Sequence, residues 1–293
     1  MPRIKQAIDA AYDRFIQNDV PSPRLNAELL LMFVLNCDRA YLFAHPEREL
    51  GQSEQYRYEE VIGERQRGCP TQYITGHQEF WGLDFIVSPA VLIPRPETEH
   101  VIETVLDLVK QSSPEERIRL VDVGSGSGCI ALSLAKELPQ AEIHACDISE
   151  PALEIARANA ARLGLAASVQ FSVSDLLSTY RSSAFAEPAQ KKQFDFVVSN
   201  PPYVGESEAD KVQKQVRDFE PKLAVFSGWE GTDIYKRLVP EAWEALKPGG
   251  WLVVEIGYSI EEKVKALLSG WTQIRTTFDL QGIPRVVAAR KPG

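Results

Sequence analysis

The chain has 293 residues, room for about two domains at roughly 150 residues each. Hydrophobic residues make up 44% and charged residues 25%, an ordinary globular mix, and the longest apolar run, Leu29 to Leu35, is far short of the roughly 20 residues that span a bilayer. The formal net charge of -9 argues against broad nucleic-acid binding, which needs clustered Lys and Arg, and suits a basic protein partner.

At the N-terminus, Met1-Pro2-Arg3 is not followed by an apolar h-region, so no secretory signal is expected. Residues 1–71 read as a helical domain. Ile4, Ala7, Ile8, Ala11, Tyr12, Phe15 and Ile16 recur at helical spacing. Ser22-Pro23 reads as an N-cap with proline at the first helical position, and Leu25, Leu29, Met32 and Phe33 form the apolar face behind it. Asp38 and Ser53 are candidate caps of two further helices, and Gly68 a candidate end of the last. This stretch holds no catalytic constellation, which suits a docking module.

Residues 72–91 change pattern. Tyr73, Ile74, Phe80, Trp81, Phe85, Ile86 and Val87 are aromatic or β-branched, and Gly76 and Gly82 are turn residues, so short strands or a β-hairpin linker are expected. Pro89, Pro94 and Pro96 then stiffen an irregular entry to a third region, residues 92–293. There, strand candidates Arg119–Val123, Glu142–Cys146, Val169–Ser172, Phe194–Ser199, Trp251–Ile256, Gln273–Phe278 and Arg285–Ala289 alternate with helical stretches. That alternation predicts an α/β fold with a seven-stranded, mostly parallel sheet. The last two candidates are joined too closely for a crossover helix and should pair antiparallel. Arg181–Gln193, rich in Ser, Ala and Lys, reads as a surface loop. Cys37, Cys69, Cys129 and Cys146 are scattered without a CxxC, and the four histidines lack zinc-ligand spacing; reduced thiols, a cytoplasmic location and no metal site are expected.

Two clusters carry chemistry. Asp122-Val123-Gly124-Ser125-Gly126-Ser127-Gly128 follows the first strand of the sheet and opens a helix, where glycines permit a tight turn and unpaired N–H groups suit an anion such as a carboxylate. Gly126 to Ala131 also fits the dinucleotide pattern G-x-G-x-x-A. Asp147 ends the second strand, where a carboxylate can accept from both ribose hydroxyls, and Asp175 follows the third, where it or its neighbouring backbone can meet an adenine edge. Together with the antiparallel strand pair, these resemble the cofactor motifs of class I S-adenosylmethionine methyltransferases.

Asn200-Pro201-Pro202-Tyr203 follows the fourth strand and is the most specific motif in the chain. A planar amide nitrogen is a poor nucleophile because its lone pair is delocalised. The Asn200 side-chain oxygen and the Pro201 carbonyl can accept from both N–H protons, the prolines hold these acceptors before substrate arrives, and Tyr203 offers a flat face for stacking. No strong general base is required, because the methylated nitrogen is a strong acid.

The whole chain resembles the release-factor glutamine methyltransferases, the HemK/PrmC family. Gln72-Tyr73-Ile74-Thr75-Gly76 with Glu79-Phe80-Trp81-Gly82-Leu83 is similar to the family's interdomain hairpin, and Leu92-Ile93-Pro94-Arg95-Pro96-Glu97-Thr98-Glu99 to its proline-rich entry segment. Glu220-Pro221, Glu255-Ile256-Gly257 and Asp279 to Arg285 also resemble family segments. The resemblance implies that a five-helix N-terminal module docks a peptide-chain release factor and that the target is the glutamine of its Gly-Gly-Gln tripeptide. It also implies that Gly124 to Gly128 with Asp122, Asp147, the Asp175-Leu176 pair and Asn200 hold S-adenosylmethionine. No direct nucleic-acid contact and no membrane association are expected. A glutamine expected shortly after Gly257 is absent from Tyr258-Ser259-Ile260-Glu261, and Arg181–Gln193 is longer than usual. Glutamine methylation of a ribosomal protein and adenine-N6 methylation of nucleic acid stay open as alternatives, since Asn-Pro-Pro-Tyr is shared with the adenine-N6 enzymes.

Overall fold

The structure, a computed structural model, describes residues 1–112, 117–180 and 193–293. The loop expected over Arg181–Gln193 lies, but for Gln193, outside the described residues. The chain divides into two compact units, residues 1–77 with 213–219 and residues 78–212 with 220–293.

The first unit is helical: α1 (Ile4–Gln17), α2 (Pro23–Leu35), α3 (Arg39–Ala44), α4 (Gln52–Gln66) and α5 (Thr71–Thr75). Ile4, Ile8, Ala11 and Phe15 of α1 are buried against Leu30 and Leu31 of α2 and Ile62 of α4, so the apolar stripe is what packs the bundle. Asp38 caps α3, its carboxylate accepting from the Tyr41 amide at 2.7 Å. Ser22 holds the N-cap position of α2, but its side chain makes no capping bond. Ser53 does not cap α4. Gly51 takes that place, and the Glu54 carboxylate reaches back to the Gly51 amide at 2.7 Å. The expected strand character of Gln72–Thr75 is also corrected: these residues are helical in α5. Pro70 precedes that helix and left-handed Gly76 ends it, its amide donating to the Gln72 carbonyl at 2.8 Å. Ile74 packs on the helical core, and this burial outweighs its β-propensity. Residues 213–219, which hold α9 (Lys214–Phe219), belong to the same unit; Arg65 donates to the Gln215 side chain at 3.2 Å.

β1 (His77–Phe80) and β2 (Leu83–Ile86) form a two-stranded sheet. After an irregular segment and a short 3-10 turn (Pro96–Thr98), the second unit continues as α6 (Glu99–Ser112), β3 (Arg119–Val123), α7 (Cys129–Glu137), β4 (Glu142–Asp147), α8 (Glu150–Arg162), β5 (Val169–Val173) and β6 (Phe194–Ser199). Then follow α10 (Lys222–Val225), α11 (Asp233–Ala245), β7 (Leu246–Glu255), α12 (Glu261–Leu267), β8 (Thr272–Phe278) and β9 (Pro284–Arg290). The strands form one seven-stranded sheet in the order β5-β4-β3-β6-β7-β9-β8. The pairs from β5 to β7 are parallel, and β9 runs antiparallel to both β7 and β8, as the short connection between β8 and β9 requires. β7 begins earlier than its apolar core suggests. Leu246 pairs with Phe194 before a register shift resumes the ladder at Trp251, and Pro248 sits in that irregularity.

Alternation along the strands separates two cores. Leu120, Phe196 and Val253 face Val101, Ile102, Ile130 and Leu134 of α6 and α7. Val121, Val197 and Leu252 face Tyr235, Leu238 and Val264 of α11 and α12. Helices on both faces explain why the central stretches Leu120-Val121 of β3, Phe196–Val198 of β6 and Trp251–Val254 of β7 are apolar. The chain runs from β3 outward to β4 and β5, then returns to the other side of β3 as β6. Strand order therefore reverses between β3 and β6, and the crevice beyond their carboxyl ends is where an open α/β sheet binds its ligand.

Candidate active site

At this reversal Val123 of β3 pairs with Ser199 of β6 and with Cys146 of β4. The residues that follow these partners, Gly124, Asn200 and Asp147, are thereby brought to one sheet edge. The Ser199 hydroxyl donates to the Val123 carbonyl at 2.6 Å, and the Gly124 and Ser125 amides both donate to the Cys146 carbonyl at 2.8 and 3.0 Å. Gly124, Gly126 and Gly128 have φ of 73°, 54° and 81°, the left-handed region that side chains disfavour. At Gly128 a Cβ would also lie 3.2 Å from Cβ of Ala156, so the helix α8 packs directly against the loop.

A cavity of about 440 Å³ opens over this edge. Gly124 to Ser127, Asp147, Asp175, Leu176, Asn200, Pro201 and Pro202 line it, and so do the entry segment (Leu92, Arg95, Thr98) and the segment after Glu220 (Pro221, Leu223, Ala224). Asp147 accepts from the Gly126 amide on Oδ2 and from the Ser149 amide on Oδ1, both at 2.9 Å. Burial raises its pKa against the lowering effect of these amides. Each oxygen keeps a lone pair for a further donor. Asp175 is paired with Arg237 of α11 at 2.7 Å; both side chains are about half exposed, and Arg237 joins the cavity wall. Leu176 holds a left-handed backbone, φ 49°, and its carbonyl accepts from the Cys146 thiol. Burial pushes the Cys129 thiol up to about 12, which excludes it as a thiolate nucleophile near neutral pH.

Among the expected site residues, Asp122 stands behind the cavity wall. Asp122 is fully buried beneath the glycine loop, where Oδ2 accepts from the Ala131 amide at 3.2 Å, and burial raises its pKa to about 7. Its carboxyl braces the start of α7. Tyr203 follows the cavity-lining Pro202; a Cβ added to Gly257 would lie 2.9 Å from its ring, and its hydroxyl donates to Glu255 Oε1 at 3.2 Å. Asn200 donates from Nδ2 to the Thr98 hydroxyl at 3.0 Å. Among the described residues nothing donates to Asn200 Oδ1 or to the Pro201 carbonyl.

Reading the chain alone singles out the glycine loop, the strand-end acids and the Asn-Pro-Pro motif, but not Thr98, Arg237 or the Leu223 segment. Arg95 and Glu220 explain how the two unanticipated wall segments are fastened: they form an ion pair, and Glu220 Oε2 also accepts from the Ile93 amide at 3.2 Å. Glu255 carries a sequence signal, a carboxylate inside the apolar run Val253-Val254-Glu255-Ile256.

S-adenosylmethionine fits these residues. The glycine loop leaves open space where Cβ atoms of Gly124 and Gly126 would stand, the buried Ser125 hydroxyl has no partner among the described residues, and Asp147 offers free lone pairs beside it.

Residues 6–76 match the family model described as PrmC N-terminal domain, and residues 104–219 that described as Methyltransferase small domain. A release factor glutamine methyltransferase of Koribacter versatilis is 61% identical over 99% of this chain and 99% of its own length. One of Geobacter sulfurreducens is 37% identical over 98% of this chain and 96% of its own. Among solved structures, the N-terminal domain of human METTL16 in complex with SAH superposes with a TM-score of 0.53 at 16% identity, over 94% of this chain and 93% of that one, a likeness of fold.

Proposed function

The chain belongs to the release factor glutamine methyltransferases, and from that premise we propose how its residues perform the reaction. It is an S-adenosylmethionine-dependent protein-glutamine methyltransferase, and its substrates are peptide-chain release factors. The nitrogen methylated is the side-chain amide N5 of the glutamine in the Gly-Gly-Gln tripeptide.

S-adenosylmethionine supplies an electrophilic methyl on a sulfonium. The glycine loop would hold its carboxylate on backbone amides, and Asp147 would hold its ribose hydroxyls. The Asp175-Leu176 turn, tied to Arg237, borders the adenine end. The glutamine side chain enters between the Leu92–Thr98 and Pro221–Ala224 walls. Its two N–H protons are accepted by Asn200 Oδ1 and the Pro201 carbonyl. This orients the nitrogen lone pair for in-line attack and converts an encounter into a positioned one. Bound there, the cofactor would supply its methyl to the nitrogen held by Asn200 and Pro201, leaving the nitrogen positively charged and ready to lose a proton. The amide proton then leaves through the same acceptors to water, and N5-methylglutamine remains. Asp122 acts at one remove, by holding the loop, and Tyr203 offers the face of its ring to the amide plane.

The single observation that carries this reading is that Asn200 Oδ1 is left without a donor in the wall of the cavity that Asp147 and the glycine loop also line. In the first unit Phe33, Phe43 and Tyr56 remain at the surface at 36, 63 and 68% exposure, more aromatic area than packing the bundle needs, which supports release-factor docking there. The test is mass-spectrometric detection of methyl incorporation into purified release factors, a ribosomal-protein mixture and DNA. Methylation of the Gly-Gly-Gln glutamine is expected; methylation confined to ribosomal protein or DNA would replace the substrate assignment.

A further inference from the structure

Arg237 and Glu241 stand four positions apart on α11 and so share one face of that helix. Both reach the turn that follows β5. Arg237 Nη2 donates to Asp175 Oδ2 at 2.7 Å, and the Leu177 amide donates to Glu241 Oε2 at 3.1 Å. Leu176 lies between these two anchors with φ at 49°, and Leu177 is fully buried in the core that α11 covers. A left-handed backbone at a residue other than glycine persists only where its surroundings over-determine it. We propose that Arg237 and Glu241 are positioning residues that hold Asp175 and Leu176 against the base of the cofactor, and that this hold selects adenine over other purines.

This role rests on the cofactor reading above, in which the Asp175-Leu176 turn borders the adenine. The peptide group between Leu176 and Leu177 is planar, so its N–H and C=O turn together. Glu241 takes the N–H, and the Leu176 carbonyl accepts from the Cys146 thiol at 3.3 Å, so the plane is gripped from both sides. The Ser174 amide donates to the Asp147 carbonyl at 2.9 Å and ties the same turn to the acid that would hold the ribose.

Asp175 and Arg237 both line the cavity, and both side chains are about half exposed. An unheld carboxylate on such a surface swings between hydrated orientations. With Oδ2 on Arg237, Oδ1 is fixed in direction, and among the described residues no donor meets it. The neighbouring Leu176 amide likewise has no acceptor among the described residues. The turn thus offers an acceptor beside a donor. Adenine matches this with its C6 amino group, a donor, and N1, an acceptor. Hypoxanthine reverses both: a carbonyl at C6 meets a carboxylate that can only accept, and N1–H meets an amide. A site that reads hydrogen bonds rejects a mismatched analogue far better than shape does. A held carboxylate enforces the mismatch, whereas a swinging one turns to water and tolerates the wrong base.

The test is calorimetric affinity of the full chain for S-adenosylhomocysteine and for the same compound with hypoxanthine in place of adenine. The parent should prefer adenine about tenfold or more, the worth of one hydrogen bond to a charged group. Arg237→Met keeps the stem and removes the donors. It should weaken the adenine ligand up to about fivefold, the worth of a half-exposed ion pair, and leave the hypoxanthine ligand unchanged. A merely structural role would weaken both ligands alike. Arg237→Lys restores a donor and should restore part of the preference. Glu241→Leu should narrow the preference as Arg237→Met does, and Glu241→Gln, which keeps an acceptor for the Leu177 amide, should resemble the parent. In an Asp175→Asn background Arg237→Met should change the preference little, because the two act through one contact. A parent that binds both ligands alike overturns the adenine end of the cofactor reading and this role with it. A parent that prefers adenine, beside an Arg237→Met protein that prefers it as strongly or loses both ligands equally, overturns the positioning role and leaves the cofactor reading standing. Parental preference in Glu241→Leu removes Glu241 from that role.

Discussion

Gly257 and Tyr203 occupy one packing site: a Cβ on Gly257 would lie 2.9 Å from Cδ2 of the Tyr203 ring, closer than carbon atoms pack. The ring is also tied at its hydroxyl to Glu255, so a shift of the ring strains that bond. Gly257→Ala should therefore displace the Asn200–Tyr203 segment and cost about 1–3 kcal/mol of stability from overpacking. Transfer should slow while cofactor affinity changes little. Thermal unfolding and single-turnover rates measured together check this, and an alanine variant with parental rate and stability would show that the ring has room to move.

Asp147 is held by two amides, and its remaining lone pairs face the cavity beside Gly126. Asp147→Ala should weaken cofactor binding roughly tenfold or more, since a hydrogen bond to a charged group contributes about 1.5–3 kcal/mol. Its pKa is raised by burial, so cofactor affinity should fall as acid protonates it, at a pH above the usual aspartate range. Calorimetric titration of the folded variant decides the assignment, and unchanged affinity removes Asp147 from the cofactor site.

How far the chain could be read in advance follows from where each signal lies. All seven sheet strands were legible because β3, β6 and β7 are apolar runs and turn residues punctuate the chain between them. The antiparallel end of the sheet followed from the short Asp279–Pro284 connection alone. Gly126, Asp147 and Asn200 were legible because each sits at a strand end, where topology converges. Thr98 was not, since its role depends on Asn200, more than a hundred positions away, and a lone threonine has no local signature. The helix α5 was hidden by Ile74 and Thr75, whose β-propensity is overridden by packing in the helical unit. The grouping of residues 213–219 with the N-terminal helices depends on long-range contacts such as Arg65 to Gln215, which no pattern announces.

The aromatic surface of the first unit separates docking from chemistry. Phe43 and Tyr56 are exposed and contribute little to the bundle core. A Phe43→Ala, Tyr56→Ala double variant should keep its stability within about 0.5–1 kcal/mol, as surface substitutions do. The KM for intact release factor should rise several-fold at unchanged cofactor affinity, since exposed aromatics are the usual anchors of an interface. Steady-state kinetics with full-length release factor reads this directly. An unchanged KM would place the docking surface elsewhere.

In the proposed reaction Asn200 is where cofactor site and substrate site meet. Its Nδ2 donates to Thr98, and its Oδ1 has no donor among the described residues. Asn200→Ala removes both and leaves Asp147 and the glycine loop in place. Its effect should fall on turnover, with a loss of about a hundredfold or more, as for other preorganised hydrogen bonds at a reacting centre. Asn200→Asp is the sharper comparison. A carboxylate still accepts from the substrate amide, but it cannot donate to Thr98. Its rate should lie between those of alanine and the parent, and should depend on pH differently from the parent because the variant adds a titrating group to the chain of hydrogen bonds. Replacing the target glutamine with glutamate removes the N–H donors and should abolish transfer altogether. Single-turnover transfer at saturating cofactor compares all of these on one scale. If folded Asn200→Ala protein methylates a release-factor glutamine at the parental rate, nitrogen activation does not pass through this carboxamide, and the Pro201 carbonyl alone must orient the substrate.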